Sequence, residues 1–259
     1  MTVEEALSRT VIDAREARLL LAEASGFSQS VVLAFREKEL PAEAEERFLE
    51  FSSRRRRGEP IAYIVGHKEF YGLDLAVTPA VLIPRPETEL LVDLALGRPF
   101  ASALDLGTGS GAIALALKKH RQARVVAVEA SAAALVVAKR NAAKHGLDID
   151  FRHGRWFDPV AGERFDLIVA NPPYVAEGDP HLAELVFEPR TALVAGPDGL
   201  DAIRGIAARA PEFLARGGWL LIEHGLGQDA AVRKLLSALE EVQTWPDLAG
   251  IPRVTGGKR

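Results

Sequence analysis

Apolar and polar positions follow two different spacings along this chain of 259 residues. Over residues 1–60 the spacing is helical. Ala14, Ala17, Leu19, Leu20 and Leu21 predict a helix closing near Ser25-Gly26, and Phe48, Leu49 and Phe51 supply the apolar face of another. Thr2 and Glu5 have the form of a capping box. Pro41 stands as a first-turn proline, followed by Glu43, Glu45 and Glu46 where a helix N-terminus favours acids. The second helix ends in Arg54-Arg55-Arg56-Arg57 before Gly58. That run either complements the helix C-terminus or offers a contact to an acidic partner, or to RNA on that partner. Residues 61–80 carry Gly66, Gly72 and the aromatics Tyr63, Phe70 and Tyr71, and predict a β-hairpin linking two domains.

From Ala101 the pattern becomes strand, turn, helix. Strands are expected at Ala103–Leu106, Val125–Val128, Ile149–Phe151, Phe165–Ala170 and Trp219–Ile222. Helices are expected over Ala112–Lys119, from Ser131 to about His145-Gly146, over Asp201–Leu214 and over Asp229–Leu239. Two short strands near Val242-Gln243 and Arg253-Val254 follow. Such alternation implies an α/β fold with a parallel sheet covered on both faces. The expected organisation is therefore a small helical domain over 1–60, a hairpin over 61–80 and the α/β domain over 81–259.

Composition narrows the class. Hydrophobic residues make up 48% of the chain, enough for a sizeable core. No apolar run approaches a membrane span, and the acidic start Met1-Thr2-Val3-Glu4-Glu5 lacks signal-peptide form, so no membrane partner is expected. The absence of cysteine excludes disulfides, thiolate metal sites and a cysteine nucleophile, and fits a reducing, cytoplasmic location. A net charge of −4 and a pI near 5.9 argue against stable binding of long nucleic acid. The six histidines are scattered without metal spacing and read as solvent-facing or loop residues, so no metal is expected.

The chemistry concentrates at two turns. Gly107-Thr108-Gly109-Ser110-Gly111 joins a strand to a helix, and its glycines let the backbone approach a ligand at the helix N-terminus. Glu129, ending the next strand, is placed to accept two ribose hydroxyls, and Asp105 to brace the turn through backbone N–H groups. This turn fits both S-adenosylmethionine and dinucleotide patterns. The second turn decides between them. The strand through Leu167, Ile168 and Val169 stops at Asn171-Pro172-Pro173-Tyr174, where two prolines stiffen the chain at the sheet edge that binds ligands. The Asn171 side-chain carbonyl and the Pro172 backbone carbonyl can each accept an N–H, while Tyr174 can lie on the flat face of an amide or base. That is a grip for a planar amino or amide nitrogen, with no provision for hydride transfer. A sulfonium methyl donor completes it, since in-line attack needs positioning rather than a metal. The stiff loop Leu82-Ile83-Pro84-Arg85-Pro86-Glu87-Thr88-Glu89 reads as a lid, with Arg85 and Glu87 as its polar contacts and Glu87 or Thr88 opening a helix. Glu223 and His224 are placed near the same edge, behind the site.

These motifs, with Glu69-Phe70-Tyr71-Gly72-Leu73 and Phe187-Glu188-Pro189, resemble the release factor glutamine methyltransferases (the HemK/PrmC family) over nearly the whole chain. The tetrapeptide is shared with adenine and guanine amino methyltransferases, while Arg85-Pro86-Glu87-Thr88-Glu89 beside a helical domain is more specific. The resemblance implies a seven-stranded Rossmann-like methyltransferase domain using S-adenosylmethionine and releasing S-adenosylhomocysteine. It implies methylation of the glutamine amide in the Gly-Gly-Gln loop of peptide chain release factors, with the helical domain holding the substrate. Gly107, Thr108, Gly109, Ser110, Gly111, Glu129 and Trp156 would then hold the cofactor. Asn171 would touch cofactor and substrate, and Pro172, Pro173 and Tyr174 would hold the amide. Three positions depart from the family pattern. Glu129 replaces a frequent aspartate, Arg155 precedes Trp156 where a small or acidic residue is expected, and Ile251-Pro252-Arg253-Val254 lacks an acid before the arginine. Alternative readings are amino methylation of nucleic acid, glutamine methylation of a ribosomal protein, and a binding module that has lost catalysis.

Overall fold

Helix starts in the first part of the chain are set by local chemistry. In the computed structural model, which describes residues 1–259, the backbone N–H of Thr2 donates to Glu5 Oε2 at 2.8 Å and that of Glu5 to Thr2 Oγ1 at 3.2 Å. This capping box opens α1 (Val3–Ser8). Next come α2 (Ala14–Ser25), α3 (Gln29–Ala34), α4 (Ala42–Arg56) and α5 (Ile61–Val65). Gly26 takes the left-handed conformation that closes α2. Leu20, Leu21, Phe48, Phe51 and Ile64 pack one core, whereas Leu49, expected on the apolar face, is half exposed because it points away from α2. Arg54 donates from Nε to Glu59 at 2.9 Å and Arg55 from Nε to Glu16 at 2.7 Å. Half of the basic run is thus spent inside this unit, tying α4 to α2 and to the start of α5.

The chain divides into two compact units, Met1–His67 and Lys68–Arg259. The expected hairpin over 61–80 is shorter than drawn from sequence. Its first residues form α5, started at Pro60 and stopped by left-handed Gly66. The hairpin itself pairs β1 (His67–Phe70) with β2 (Leu73–Ala76) through Tyr71 and Gly72, both at positive φ as a tight two-residue turn requires.

The second unit continues with α6 (Glu89–Leu96), β3 (Ser102–Leu106), α7 (Ala112–His120), β4 (Arg124–Glu129), α8 (Ala132–His145), β5 (Asp150–His153) and β6 (Phe165–Ala170). It ends with α9 (Asp201–Phe213), β7 (Leu214–Glu223), α10 (Asp229–Leu235), β8 (Glu240–Pro246) and β9 (Pro252–Lys258). Seven strands form one sheet in the order β5-β4-β3-β6-β7-β9-β8. Side chains alternate between its faces. Ala103, Leu167 and Val169 pack one core with α6 and α7, while Leu104, Leu106 and Ile168 pack the other with α9.

The sheet is mixed rather than parallel: β9 runs antiparallel to both β7 and β8. The last two strands are also longer than expected, and α10 stops at Leu235. Gly256, Gly257 and Pro252 hide strand character in β9, yet a Cβ at Gly256 would meet Trp245 and Leu221, so the crowded sheet itself selects glycine there.

Candidate active site

The strand order reverses between β3 and β6, and open α/β sheets bind ligands beyond the strand ends at such a point. Leu106 is in register with Val128 on one side and Ala170 on the other, so the glycine turn, Glu129 and Asn171 leave the sheet side by side. Above them lies a cavity of about 780 Å³. Among the residues singled out by sequence, Gly107, Gly109, Glu129, Trp156, Asn171 and Pro173 line it.

The turn is built around close approach. Gly107 has φ 75°, and a Cβ there would stand 3.3 Å from the Trp156 ring, so glycine lets the indole lie against the backbone. Glu129 accepts from the Gly109 N–H at 2.9 Å and from the Ser131 N–H at 2.8 Å, coupling the turn to the start of α8. Thr108, Ser110 and Gly111 do not line the cavity. Thr108 donates its hydroxyl to buried Asp105 at 2.5 Å, the Ser110 carbonyl accepts from Asn141 at 2.9 Å, and Gly111 starts α7. The expected brace from Asp105 to backbone N–H groups therefore runs chiefly through the Thr108 side chain. Burial pushes the Asp105 carboxyl up to about 7, opposed by that hydroxyl, and its Oδ1 has no partner.

At the second turn the Asn171 side-chain N–H2 donates to the Thr88 hydroxyl at 3.0 Å. The carbonyl oxygen of the same amide is left as an acceptor. Pro172 is buried and Tyr174 partly so, and neither lines the cavity. The corner is held from behind. The Tyr174 carbonyl accepts from Gln228 at 3.0 Å, and Val175 exchanges backbone hydrogen bonds with Leu193 and Ala195 at 2.8 and 3.0 Å.

Arg85 and Glu87 are not brought to the cavity wall. Arg85 is ion-paired with Glu188, whose other oxygen accepts from the Ile83 N–H at 3.1 Å, and Glu87 is exposed. A buried carboxylate captures the arginine, so the pair fastens the 82–88 loop and supplies no free polar contact. The roles of two residues escaped the sequence reading, Thr88 and Glu188, which are 4% and 7% exposed; Glu223, placed behind the site from sequence, is 1% exposed. Glu188, an acid between Phe187 and Pro189, was visible as a motif without a task. Thr88 reads as a helix cap from sequence, yet it makes no capping bond.

Glu223 Oε2 has no hydrogen-bond partner, and burial raises its carboxyl to about 7, opposed by the Thr88 hydroxyl. Burial and the nearby Glu223 charge raise the Tyr174 phenol. His224 lies in the loop after β7 but is buried, not solvent-facing: its ring meets Thr255 Oγ1 at 2.8 Å, and burial lowers its pKa. Arg253 finds its acid at Asp247, at 3.1 Å, in place of one directly before it.

An adenosyl group fits this site by size and donor set: a cavity in the range of small-ligand pockets, an indole beside a side-chain-free turn, and a carboxylate in the wall. Arg155 also lines the cavity. A family profile described as "Methyltransferase small domain" matches residues 86–198. The fold is shared with a methyltransferase from Pyrococcus furiosus, with a TM-score of 0.58, 19% identity and coverage of 80% of this chain and 96% of that one. It is also shared with a T. thermophilus 16S rRNA methyltransferase in complex with AdoMet and guanosine, with a TM-score of 0.57, 23% identity and coverage of 74% and 49%.

Fold, cavity and matching profile together define an S-adenosylmethionine-dependent methyltransferase. A second profile, "PrmC N-terminal domain", covers residues 3–66. The release factor glutamine methyltransferase of Burkholderia pseudomallei (strain K96243) is 49% identical over 99% of this chain and 96% of its own length. That of Neisseria gonorrhoeae (strain ATCC 700825 / FA 1090) is 46% identical over 100% and 98%. The chain belongs to the release factor glutamine methyltransferase family.

Proposed function

We propose that this enzyme methylates the side-chain amide nitrogen of the glutamine in the Gly-Gly-Gln motif of peptide chain release factors. The carrying observation is the orientation of Asn171, whose N–H2 is spent on Thr88 so that its carbonyl oxygen is left to accept a substrate N–H. Relatives of that named activity across the full chain support the same substrate.

S-adenosylmethionine supplies an electrophilic sulfonium methyl and leaves as S-adenosylhomocysteine. Gly107 and Gly109 give backbone access to it, with Thr108, Ser110 and Gly111 shaping the turn from behind. Glu129 accepts the ribose hydroxyls, and Trp156 flanks the adenine. The Asn171 carbonyl and the Pro172 carbonyl each accept one hydrogen of the substrate carboxamide. Tyr174 and Pro173 border its flat face, and both carbonyls stabilise the positive charge the nitrogen gains in the transition state. Arg85 serves the substrate indirectly by fixing the lid loop to Glu188, with Glu87 facing outward. The helical unit over residues 3–66 holds the release factor, and a cytoplasmic location follows from that substrate.

Incubation with S-adenosylmethionine and a release factor, followed by mass spectrometry of its Gly-Gly-Gln peptide, tests the reading. A gain of one methyl on the glutamine is expected. An unmodified glutamine, with methyl instead in RNA or a ribosomal protein, would overturn it.

A further inference from the structure

Asn171 is useful only one way round. Its carboxamide must present oxygen, not N–H2, to the substrate, and the two ends are nearly isosteric, so some group must choose. The chooser is visible behind it. Asn171 Nδ2 donates to Thr88 Oγ1 at 3.0 Å, so that oxygen acts as an acceptor here. A threonine hydroxyl has one proton, and it must go elsewhere if the lone pair is to face Asn171. Ala170 of β6 is in register with Ile222 of β7, so Asn171 and Glu223 leave neighbouring strands side by side; Glu223 is 1% exposed, and the Thr88 hydroxyl favours its ionised form. Its Oε2 has no hydrogen-bond partner and so is left to accept a proton. We propose that Glu223 and Thr88 form an orientation relay in which ionised Glu223 takes the Thr88 proton in a hydrogen bond and thereby locks Asn171 with its carbonyl oxygen toward the substrate. Both act as positioning residues.

Protonation of Glu223 removes the need for the Thr88 proton. That proton then turns to Asn171, the amide reverses, and an N–H2 group meets the substrate N–H. Burial raises the Glu223 carboxyl to about 7, which puts this reversal near neutrality. The charged and titratable groups facing Glu223 are Tyr174, Arg253 and Glu87, with Arg85 reaching Tyr174. Tyr174 is raised above its ordinary range, Arg253 is paired with Asp247, and neighbouring His224 is lowered and held by Thr255.

The inference rests on the role given to Asn171 above, but its main test does not need turnover. Asn141 and Asn171 are the only asparagines in the chain. Selective 15N-asparagine labelling of the whole protein therefore yields two side-chain N–H2 groups. Asn141, fully buried and bonded to Ala76 and Ser110, is an internal reference. Across pH 5.5–8.5 the Asn171 pair is expected to titrate with a midpoint near 7 while the Asn141 pair stays still. Glu223→Gln, neutral at every pH like the protonated carboxyl, is expected to abolish that titration and to hold the Asn171 pair at its low-pH position. An Asn171 pair that does not move, or that still titrates in Glu223→Gln, overturns the relay.

Kinetics give the second arm. Thr88→Val is expected to lower kcat at least tenfold with KM within twofold, and Thr88→Ser to restore most of it. In wild type kcat falls below pH 7, and in Glu223→Gln it stays at the low-pH level throughout. A Thr88→Val enzyme with full kcat overturns the relay and leaves the glutamine substrate standing. A titrating Asn171 in an enzyme that leaves release factors unmodified supports the relay and removes the substrate.

Discussion

At the residue scale the proposed chemistry turns on Asn171. Asn171→Ala removes a positioned hydrogen-bond acceptor from the transition state, and comparable deletions cost about 100- to 1,000-fold in kcat. Methylation assays should show that loss with the cofactor-bound fold intact by circular dichroism. Asp105 bears on stability instead. Its folded carboxyl is raised to about 7, so the folded state holds a proton that the unfolded chain releases near its ordinary value of 3.8. The contribution to stability is present below the unfolded value and is lost as pH rises from there through about 7. Asp105→Asn keeps an acceptor for Thr108 and cannot ionise. Urea midpoints at pH 5 and pH 8 should show the variant gaining on wild type at the higher pH, on the order of 1.4 kcal/mol for each pH unit between 5 and about 7.

At the scale of elements, the loop after β6 is the exacting one. It leaves the sheet through two prolines and is received by the segment 193–199. Gly199 has φ +74°, and a Cβ there would fall on the Tyr174 carbonyl oxygen and stand 2.9 Å from Gln228 Nε2. Both atoms belong to the hydrogen bond that pins the corner. Gly199→Ala is therefore expected to displace Tyr174, at a cost of roughly 1–3 kcal/mol in stability. Thermal unfolding and kcat should fall together, whereas Gly162→Ala, at a φ of +82° in open space, should cost stability without touching kcat.

Considered as a whole, the molecule comprises a helical unit and a second unit whose sheet carries a cavity at its switch point. A ligand bound only by the folded state stabilises it by mass action, about 2.7 kcal/mol at a hundredfold excess over Kd. S-adenosylmethionine should raise the unfolding temperature accordingly. It should also slow amide exchange around Gly107, Glu129, Trp156 and Asn171. Unchanged exchange there at saturating cofactor would place the methyl donor elsewhere.

Local chemistry and periodicity carried far into this protein. The capping box at Thr2, the left-handed stop at Gly26, the glycine turn and the Asn-Pro-Pro-Tyr corner each depend on a few adjacent residues, so they were legible in the chain itself. The buried strands β3, β4 and β6 were legible because two-sided burial demands unbroken apolar runs. Other features lay beyond that reach because their causes are distant in the chain. The sense of β9 depends on which neighbour it pairs with, not on its composition. Arg85 looked like a free contact until folding brought Glu188, more than a hundred residues away, beneath it. Thr88 looked like a cap until Asn171, eighty-three residues on, reached its hydroxyl. Sequence alone determined which groups could grip a planar nitrogen; tertiary structure decided which way they face, because a hydrogen bond's direction is set by everything packed around its donor and acceptor.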